Sequence, residues 1–350
     1  MRFRVAVLLS VILLAAACGG APTPITDIAP TPLVILPADE GPHDSVIEWW
    51  YFNGLLTDDR GQEYSYHYVT FQGEAVGAAV PHLLQASLGD HKAGRHLTGE
   101  QILLGSLDPD AAGVDASVNG WVMQGDGETY SLDFELGDYS LKLTAVSTKP
   151  PVLHQGSGLV HLGPAGDTFY YTRPRLDVEG IIIVNKEQRS VSGAAWMDHQ
   201  WGDVAGQQVG WDWTSLQLDD GSDLMAVLVW DPTDRAPFAG YGTLVSPDGS
   251  AVTLEQNGVF ISPIETWTSP ATGIEYPSAW TLTVPSQALN LELTPVLLDS
   301  EFAGSSYTPA AYWEGEVRVA GTRQGRSVAG RGFVELVGYD PQQLEPTSSP

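Results

Sequence analysis

The chain has 350 residues, with 43 acidic against 16 basic side chains and a formal net charge of −27. Such a surface repels nucleic acid and gains nothing from anionic lipid headgroups, so those partners are excluded. Eleven tryptophans and thirteen tyrosines exclude a disordered chain, because so much aromatic surface requires a core or a ligand.

The chain begins with two arginines in an apolar segment that ends in small residues, MRFRVAVLLSVILLAAA (1–17). This pattern is typical of a secretory signal and is too short for a membrane span. Small residues lead into Cys18, the single cysteine, and two glycines follow it. We therefore predict an exported bacterial lipoprotein that lipid on Cys18 holds to the cell-envelope membrane. A plain signal peptide with a stray cysteine is the alternative.

Residues 18–41 contain five prolines, which favour a semi-extended tether between the lipidated cysteine and the folded body. The polar, proline-bearing tail 341–350 is predicted to be disordered. We place an N-terminal barrel at 42–204 and a C-terminal barrel at 205–340, for the reasons that follow.

The remaining sequence has the pattern of an all-β protein. Apolar residues come in runs of five to eight that are rich in Val, Ile, Thr, Tyr and Trp, and Gly, Asp, Asn and Pro separate these runs every eight to twelve residues. Short strands at this spacing predict an antiparallel sandwich or barrel.

An internal repeat indicates two such bodies. The strand EWWYFNGLL (48–56) leads into TDDRG and a second strand, and GWDWTSLQL (210–218) leads into DDGS and a second strand. Aligning the two Asp pairs, 58–59 with 219–220, gives an offset of 161 residues, about one domain length. Asp-rich hairpin turns are common, so coincidence is the alternative.

Five motifs occur in an order that resembles the AttH and carotenoid 1,2-hydratase family. They are HDSVIEWWYFNG (43–54), TFYYTRPRL (168–176), VSGAAWMDHQWGD (191–203), GWDWTSLQLDDGSDLM (210–225) and GRGFVELVGY (330–339). The resemblance implies two lipocalin-like antiparallel barrels packed together. For the hydratase branch it also implies a hydrophobic, isoprenoid-like ligand.

The densest motif is AAWMDHQWGD (194–203), and strand alternation divides its side chains between two faces. Trp196, Asp198 and Gln200 should share one face, and Met197, His199 and Trp201 the other. Asp198 and His199 are therefore not expected to pair directly, although both are candidate catalytic residues. A well-packed core histidine is the alternative interpretation of His199.

Hydration of an olefin requires a proton donor, aromatic faces around the cation that forms, and a group that guides water. A carboxyl in an apolar pocket can hold its proton, and no metal or organic cofactor is needed. The resemblance implies His-x-Trp followed by Tyr-x-Asp, and His199-Gln200-Trp201 matches the first element. Val229-Trp230-Asp231 retains the aspartate of the second element and lacks its tyrosine, which makes Asp231 the candidate acid.

Aromatic side chains near these motifs are the candidate ligand-binding residues. They are Trp50, Tyr66, Trp196, Trp201, Trp211 and Trp213. We expect a protein that binds an elongated hydrophobic molecule. An active, cofactor-independent hydratase is the alternative, and a structural envelope lipoprotein with a merely well-packed seam is a third possibility.

Other chemistries have weaker support. The nearest approach to a serine-hydrolase elbow, Gly-x-Ser-x-Gly, is GRSVA (325–329), which reads as a β-turn. The sequence has no HExxH, and its eight histidines show no zinc-ligand spacing. His43-Asp44 and Asp198-His199 could meet in space and bind a metal, but spacing alone favours no metal site.

Overall fold

The structure is a computed structural model that describes residues 30–73, 80–108, 111–204, 209–305, 307–308 and 310–340. The predicted signal 1–17, the lipidation site Cys18, the tether residues 19–29 and the tail 341–350 lie outside the described residues. Within the described residues, no helix has the length and apolar character needed to cross a membrane.

The first antiparallel sheet runs in the order β4-β3-β2-β1-β12-β11-β8-β7-β6-β5, and β9 and β10 both pair with β11. It curls so that β4, at one end of this order, lies against β5 at the other. Its strands are β1 (Ile47–Asp58), β2 (Glu63–Gln72), β3 (Pro81–Asp90), β4 (Arg95–Leu104), β5 (Asp115–Val118), β6 (Trp121–Gly125), β7 (Thr129–Leu136), β8 (Tyr139–Ser147), β9 (Val152–Leu153), β10 (Leu159–His161), β11 (Asp167–Val184) and β12 (Glu187–Gly202).

The second antiparallel sheet has the order β16-β15-β14-β13-β22-β21-β19-β18-β17, with β20 paired to β21. Its strands are β13 (Gly210–Leu218), β14 (Asp223–Trp230), β15 (Pro237–Val245), β16 (Ala251–Leu254), β17 (Phe260–Thr268), β18 (Glu275–Val284), β19 (Leu289–Pro295), β20 (Glu301–Phe302), β21 (Tyr312–Arg323) and β22 (Arg326–Val337). Short 3-10 turns lie at Ala38–Glu40, Gly163–Ala165 and Pro285–Gln287. The predicted all-β class, with two curled sheets packed together, is confirmed.

Three apolar cores hold these sheets. One fills the interior of the first sheet, and a second fills the concave side of the second sheet. A third core lies between the sheets and includes Tyr51, Tyr170, Trp196, Trp213 and Phe333. Strands β1, β11 and β12 therefore contribute side chains to cores on both of their faces, which explains why neither face of their sequence is consistently polar.

The two hairpins that suggested an internal repeat have matching hydrogen bonds. In the first, the Asp58 N–H donates to the Gln62 carbonyl and the Gly61 N–H to the Asp58 carbonyl. In the second, Leu218 N–H donates to Ser222 and Gly221 N–H to Leu218. Position 58 thus corresponds to 218, so the offset is 160 residues and the alignment of the Asp pairs was wrong by one. The turn geometry sets this register, since each turn needs its glycine at positive φ, +78° and +83° respectively.

A buried ion cluster joins the two sheets at one side of the interface between them. Lys149, which follows β8, donates to Asp223 Oδ2 at 2.6 Å and to the Gly221 carbonyl at 2.6 Å. Arg175 donates to Asp223 Oδ1 through Nη2 at 2.6 Å and Nε at 3.0 Å. Arg175 lies where the pairing of β11 with β12 shifts register, between Arg173 and Leu176. A bulge of this kind turns a side chain out of the regular alternation, here towards the second sheet.

Asp223→Ala should lower the free energy of unfolding by about 3 kcal/mol, because it leaves Lys149 and Arg175 without their shared carboxylate. Denaturant unfolding followed by tryptophan fluorescence measures the change. Lys142→Ala, which breaks the exposed 3.9 Å pair with Asp133, is the matched control and should cost about 0.5 kcal/mol or less. Equal losses in the two variants would contradict a structural role for the buried cluster.

Candidate active site

An apolar cavity of about 180 Å³ lies between the two sheets. Alternate residues of several strands line it, because alternate side chains of a strand point to one face. The first sheet contributes Ile47, Trp49, Tyr51, Val69, Phe71, Tyr170, Asp198 and Gln200, and the connection after β10 contributes Leu162. The second sheet contributes Trp211, Trp213, Val227, Val229, Tyr241 and Glu335, and Val204 and Val209 lie between the sheets in sequence.

Asp198 is a buried carboxyl on this cavity, and two side chains hold it. The Tyr170 hydroxyl donates to Oδ2 at 2.6 Å, and the Trp196 indole donates to Oδ1 at 2.7 Å. Burial raises the pKa of Asp198 to about 6, although both hydrogen bonds act in the opposite direction. Asp198 can therefore gain or lose its proton near neutral pH, while the two hydrogen bonds keep its side chain in place.

Tyr170 links Asp198 to the second sheet. Its hydroxyl accepts a hydrogen bond from Trp213 Nε1 at 3.1 Å while it donates to Asp198. Burial, together with the charge of Asp198, raises the pKa of Tyr170 well above 10, so the hydroxyl keeps its proton. The geometry of the carboxyl thus depends on the packing of the two sheets.

Glu335 is a second carboxyl on the same cavity. Its pKa is raised to about 7: desolvation is the main cause, a hydrogen bond from Trp211 acts against it, and the charge of Asp198 adds to it. Glu335 lies directly across from Trp213 on one neighbouring strand and from Glu314 on the other. A half-buried carboxyl beside two other carboxyls favours its protonated form, because like charges at close range cannot all be ionised at low cost.

Glu314 is the third carboxyl beside Asp198 and Glu335, but its partners are Tyr51 and His67 and it does not line the cavity. It is buried, it accepts a hydrogen bond from the Tyr51 hydroxyl, and its Oε2 lies 3.1 Å from His67 Nδ1. Burial and the charge of Glu335 raise the pKa of Glu314 well above its usual value. Desolvation lowers the pKa of His67 to about 3, so the imidazole stays neutral and supplies no compensating charge.

Chemically, the cavity presents a carboxyl pair to an aromatic, water-poor space. Asp198 and Glu335 have raised pKa values of about 6 and about 7, so near neutral pH one can be ionised while the other holds a proton. Two neighbouring carboxyls, one ionised and one protonated, are the usual arrangement for a general base and a general acid. The indoles of Trp211 and Trp213 offer π-faces that can stabilise a developing cation.

His199 lies on the opposite face of β12, in a separate polar cluster. Its Nε2 is 2.7 Å from Glu48 Oε1, and its ring stacks on Trp50 with centroids 4.6 Å apart. His43 Nδ1 also lies 2.7 Å from Glu48 Oε1, and the His43 ring stacks on Trp201 at 4.0 Å. This is the separation of Asp198 from His199 that strand alternation predicts.

The predicted ligand-binding residues are divided between the cavity and the interior core of the first sheet. Trp211 and Trp213 line the cavity, and Trp196 holds Asp198. Trp50, Trp201 and Tyr66 are buried in the interior core of the first sheet. Tyr66 lies there with a hydroxyl that has no hydrogen-bond partner among the described residues.

The placement of Asp231 disagrees with its assignment as the acid. Strand β14 ends at Trp230, and Asp231 begins the turn that follows. Its Oδ1 accepts hydrogen bonds from the Thr233 N–H at 2.8 Å and the Thr233 hydroxyl at 2.6 Å. These bonds lower the pKa of Asp231, which is the opposite of the shift that a proton donor requires. Asp231 is also not among the residues that line the cavity.

Glu335, Tyr170 and Tyr51 are not among the site residues that the sequence predicted. Glu335 lies within a quoted motif, GRGFVELVGY, as the single acidic residue of an otherwise apolar strand end. An isolated carboxyl among buried apolar residues is a signal in itself, because burying a charge is costly unless a function or a partner compensates. Tyr170 and Tyr51 gave no comparable signal, since buried tyrosines in strands are common.

Two curled antiparallel sheets with an acid-bearing apolar cavity between them define a tandem lipocalin-like protein. The AttH-like family model matches residues 27–339, so the chain belongs to the AttH-like family. The structure of an AttH from Nitrosomonas europaea is 30% identical with a TM-score of 0.78, over 87% of this chain and 97% of that one. The resemblance and the lipocalin-like fold expected from the sequence are confirmed.

Two further relatives bear names of hydratase chemistry. Kievitone hydratase from Nectria haematococca shares the fold, with a TM-score of 0.72 and 20% identity over 89% of this chain and 94% of that one. Dehydratase asqC from Emericella nidulans is 27% identical over 207 residues, which are 56% of this chain and 57% of the dehydratase. The match thus spans little more than half of that relative. Together the comparisons show the AttH-like family and its fold.

The raised pKa of Glu335 has a consequence for stability. Because its pKa rises from the usual 4.5 to about 7 on folding, the folded chain binds its proton more tightly than the unfolded chain. Stability should therefore fall as pH rises from 4.5 to about 7 and stay reduced above that. Glu335→Gln removes this loss, so its free energy of unfolding should exceed that of the wild type by about 3 kcal/mol above neutral pH.

Denaturant unfolding across this pH range measures the difference. Glu292→Gln, at an exposed position of β19, is the matched control and should follow the wild-type curve. A Glu335→Gln curve parallel to the wild type from pH 4.5 to 7 would show that Glu335 titrates normally.

Proposed function

We propose that this protein is a cofactor-independent hydratase or dehydratase, which adds water to or removes water from a hydrophobic small molecule in the cavity between the sheets. The observation that carries the proposal is the pair of carboxyls with raised pKa values, Asp198 and Glu335, on one apolar cavity. The hydratase and dehydratase names of the relatives support the same class of reaction.

In the hydration direction, protonated Glu335 transfers its proton to an alkene carbon, and the second carbon becomes cationic. The cation lies against the indole faces of Trp211 and Trp213, which disperse its charge. Ionised Asp198 accepts a proton from water as the water oxygen bonds to that carbon. Proton exchange from Asp198 to Glu335 restores the starting state, so one alkene and one water give one alcohol. Dehydration follows the same steps in reverse.

The volume of the cavity limits how much of a substrate it can enclose. A volume of about 180 Å³ is smaller than the roughly 300–1,000 Å³ of sites that enclose a whole drug-sized ligand. An elongated molecule would therefore place only its reacting end between the sheets. The aromatic lining, which includes Trp49, Trp211 and Trp213, favours a substrate whose reacting end is a branched unsaturated hydrocarbon of the isoprenoid or lipid type.

Binding without turnover is the second function that this cavity favours. Its lining is dominated by Trp, Tyr, Phe and Val side chains, which suits a lipocalin-like carrier of a hydrophobic molecule. Quenching of tryptophan fluorescence reports binding, and exchange of alcohol oxygen with heavy-oxygen water reports turnover. A panel of isoprenoid tertiary alcohols that binds without exchange would favour the carrier.

Glu335→Gln should lower kcat/KM for oxygen exchange by about 100-fold or more, because it removes the proton donor while the volume of the side chain is kept. Asp198→Asn should have a loss of similar size, since it removes the base. Asp231→Asn is the matched control, and its turnover should equal that of the wild type. Full activity in Glu335→Gln, or loss of activity in Asp231→Asn, would contradict the assignment.

We also propose that the protein is exported and held to the cell-envelope membrane by lipid on Cys18. The support is the sequence of residues 1–20, with an arginine-bearing apolar segment and small residues before the single cysteine. The acidic surface gives no electrostatic attraction to anionic headgroups, so attachment would depend on the lipid.

Cys18→Ser should abolish labelling with a clickable palmitate analogue and move the protein from the membrane fraction to the soluble exported fraction. A bacterial host grown with the analogue, followed by fractionation and gel fluorescence, measures both effects. Serine keeps the size of the side chain but cannot form the thioether. Wild-type protein without label would contradict the proposal.

A further inference from the structure

A cluster of His43, Glu48 and His199 lies on the face of β1 and β12 that points away from the cavity. Glu48 Oε1 is 2.7 Å from His43 Nδ1 and 2.7 Å from His199 Nε2. The three atoms all lie within 4.8 Å of one another. Among the residues that the structure describes, no other group of three His, Cys, Asp or Glu side chains converges in this way.

We propose that this cluster is a binding site for a divalent transition-metal ion of the zinc class. Its ligands would be His43 Nδ1, His199 Nε2 and Glu48 Oε1. Two imidazoles and one carboxylate are donors that zinc prefers, and three protein ligands leave a position for water. Ligand distances of about 2.0–2.1 Å place neighbouring ligand atoms about 3.4 Å apart. The two distances of 2.7 Å from Glu48 Oε1 to the histidine nitrogens would therefore lengthen by less than about 1 Å when an ion binds.

The second polar atom of each ligand already has an orienting neighbour. His199 Nδ1 lies 3.3 Å from the Tyr171 hydroxyl, which donates to Glu40 Oε2 at 2.5 Å. His43 Nε2 lies 3.7 Å from an oxygen of Asp39. Such outer contacts fix the ring orientation of metal-binding histidines and increase their basicity. A histidine that only packs in a core does not need a carboxylate near its second ring nitrogen, either directly or through a hydroxyl.

Glu48 is held in the same way. Its Oε2 accepts a hydrogen bond from the backbone N–H of His43 at 2.8 Å, which leaves Oε1 directed at the two imidazoles. The Glu48 side chain is buried, so rotation away from the cluster would leave its carboxylate without partners. The carboxylate is therefore preset as a single-oxygen ligand.

The aromatic surroundings restrict the rings and define an entry path. His43 stacks on Trp201 with an interplanar angle of 4°, and His199 stacks on Trp50 at 23°. His199 and Glu48 are fully buried, whereas 22% of the His43 side chain is exposed. An ion would enter at His43, and its binding would fasten the segment that precedes β1 onto β1 and β12.

The experiment uses metal-free wild-type protein titrated separately with Zn²⁺, by calorimetry, and with Co²⁺, by absorption spectroscopy. We expect one ion per chain, the visible absorption bands of a four- or five-coordinate cobalt site, and a thermal unfolding midpoint that rises with zinc concentration. His43→Ala and Glu48→Gln should each weaken zinc affinity by about 100-fold or more, because each removes a direct ligand.

His161→Ala is the matched control, because His161 also pairs with a carboxylate, Asp167, but at an exposed site where the described part of the chain supplies no third ligand. It should bind zinc as the wild type does. Absence of a stoichiometric ion in the wild type, or unchanged affinity in His43→Ala, would overturn the proposal and leave a hydrogen-bonded cluster. Because the cobalt spectrum is read on the unaltered chain, a variant that fails to fold does not decide the outcome.

Discussion

Strand β12 is covered on both faces, and this double burial determines where the chemically important groups point. Trp196, Asp198 and Gln200 face the second sheet, whereas His199 and Trp201 face the interior of the first. A slip of one residue in the pairing of β12 with β1 would exchange these two sets. The acid-bearing cavity and the histidine cluster are therefore separated by one strand, although their residues are adjacent in sequence.

The cavity also depends on how the two sheets are held together. Burying Asp198, and partly burying Glu335, among aromatic residues costs free energy, and protonation reduces that cost. The contact from Trp213 through Tyr170 to Asp198 crosses the seam, and the cluster around Asp223 crosses it at another point. The fold thus maintains a carboxyl pair that the interior of a stable protein would otherwise disfavour, which is the usual signature of a functional site.

Much of the architecture could be predicted from the sequence, because strand spacing and turn residues are local properties. The all-β class and the opposite directions of Asp198 and His199 follow from period-two alternation alone. The repeat was detected, but the shared turn glycines rather than the aspartates set its register.

The composition of the site could not be predicted in the same way, since it depends on which strands meet. Asp231 matched a motif, yet it follows the end of β14, where a turn hydroxyl lowers its pKa. Glu335 is 137 positions after Asp198. The two share a cavity because β22 pairs with β13 in the second sheet, and side chains of both strands face the first sheet there. Similarly, Glu48 joins His199 through the pairing of β1 with β12, which no spacing along the chain reveals.

Asp198 and Glu335 share one apolar cavity, and the charge of Asp198 raises the pKa of Glu335. Carbon-13 NMR titration of the Glu335 side-chain carboxyl measures this directly, in wild-type protein and in the Asp198→Asn variant. We expect a midpoint at about pH 7 in the wild type and a lower midpoint in the variant, because the charge of Asp198 raises the pKa of Glu335. A wild-type midpoint near the usual 4.5, unaffected by Asp198→Asn, would contradict it.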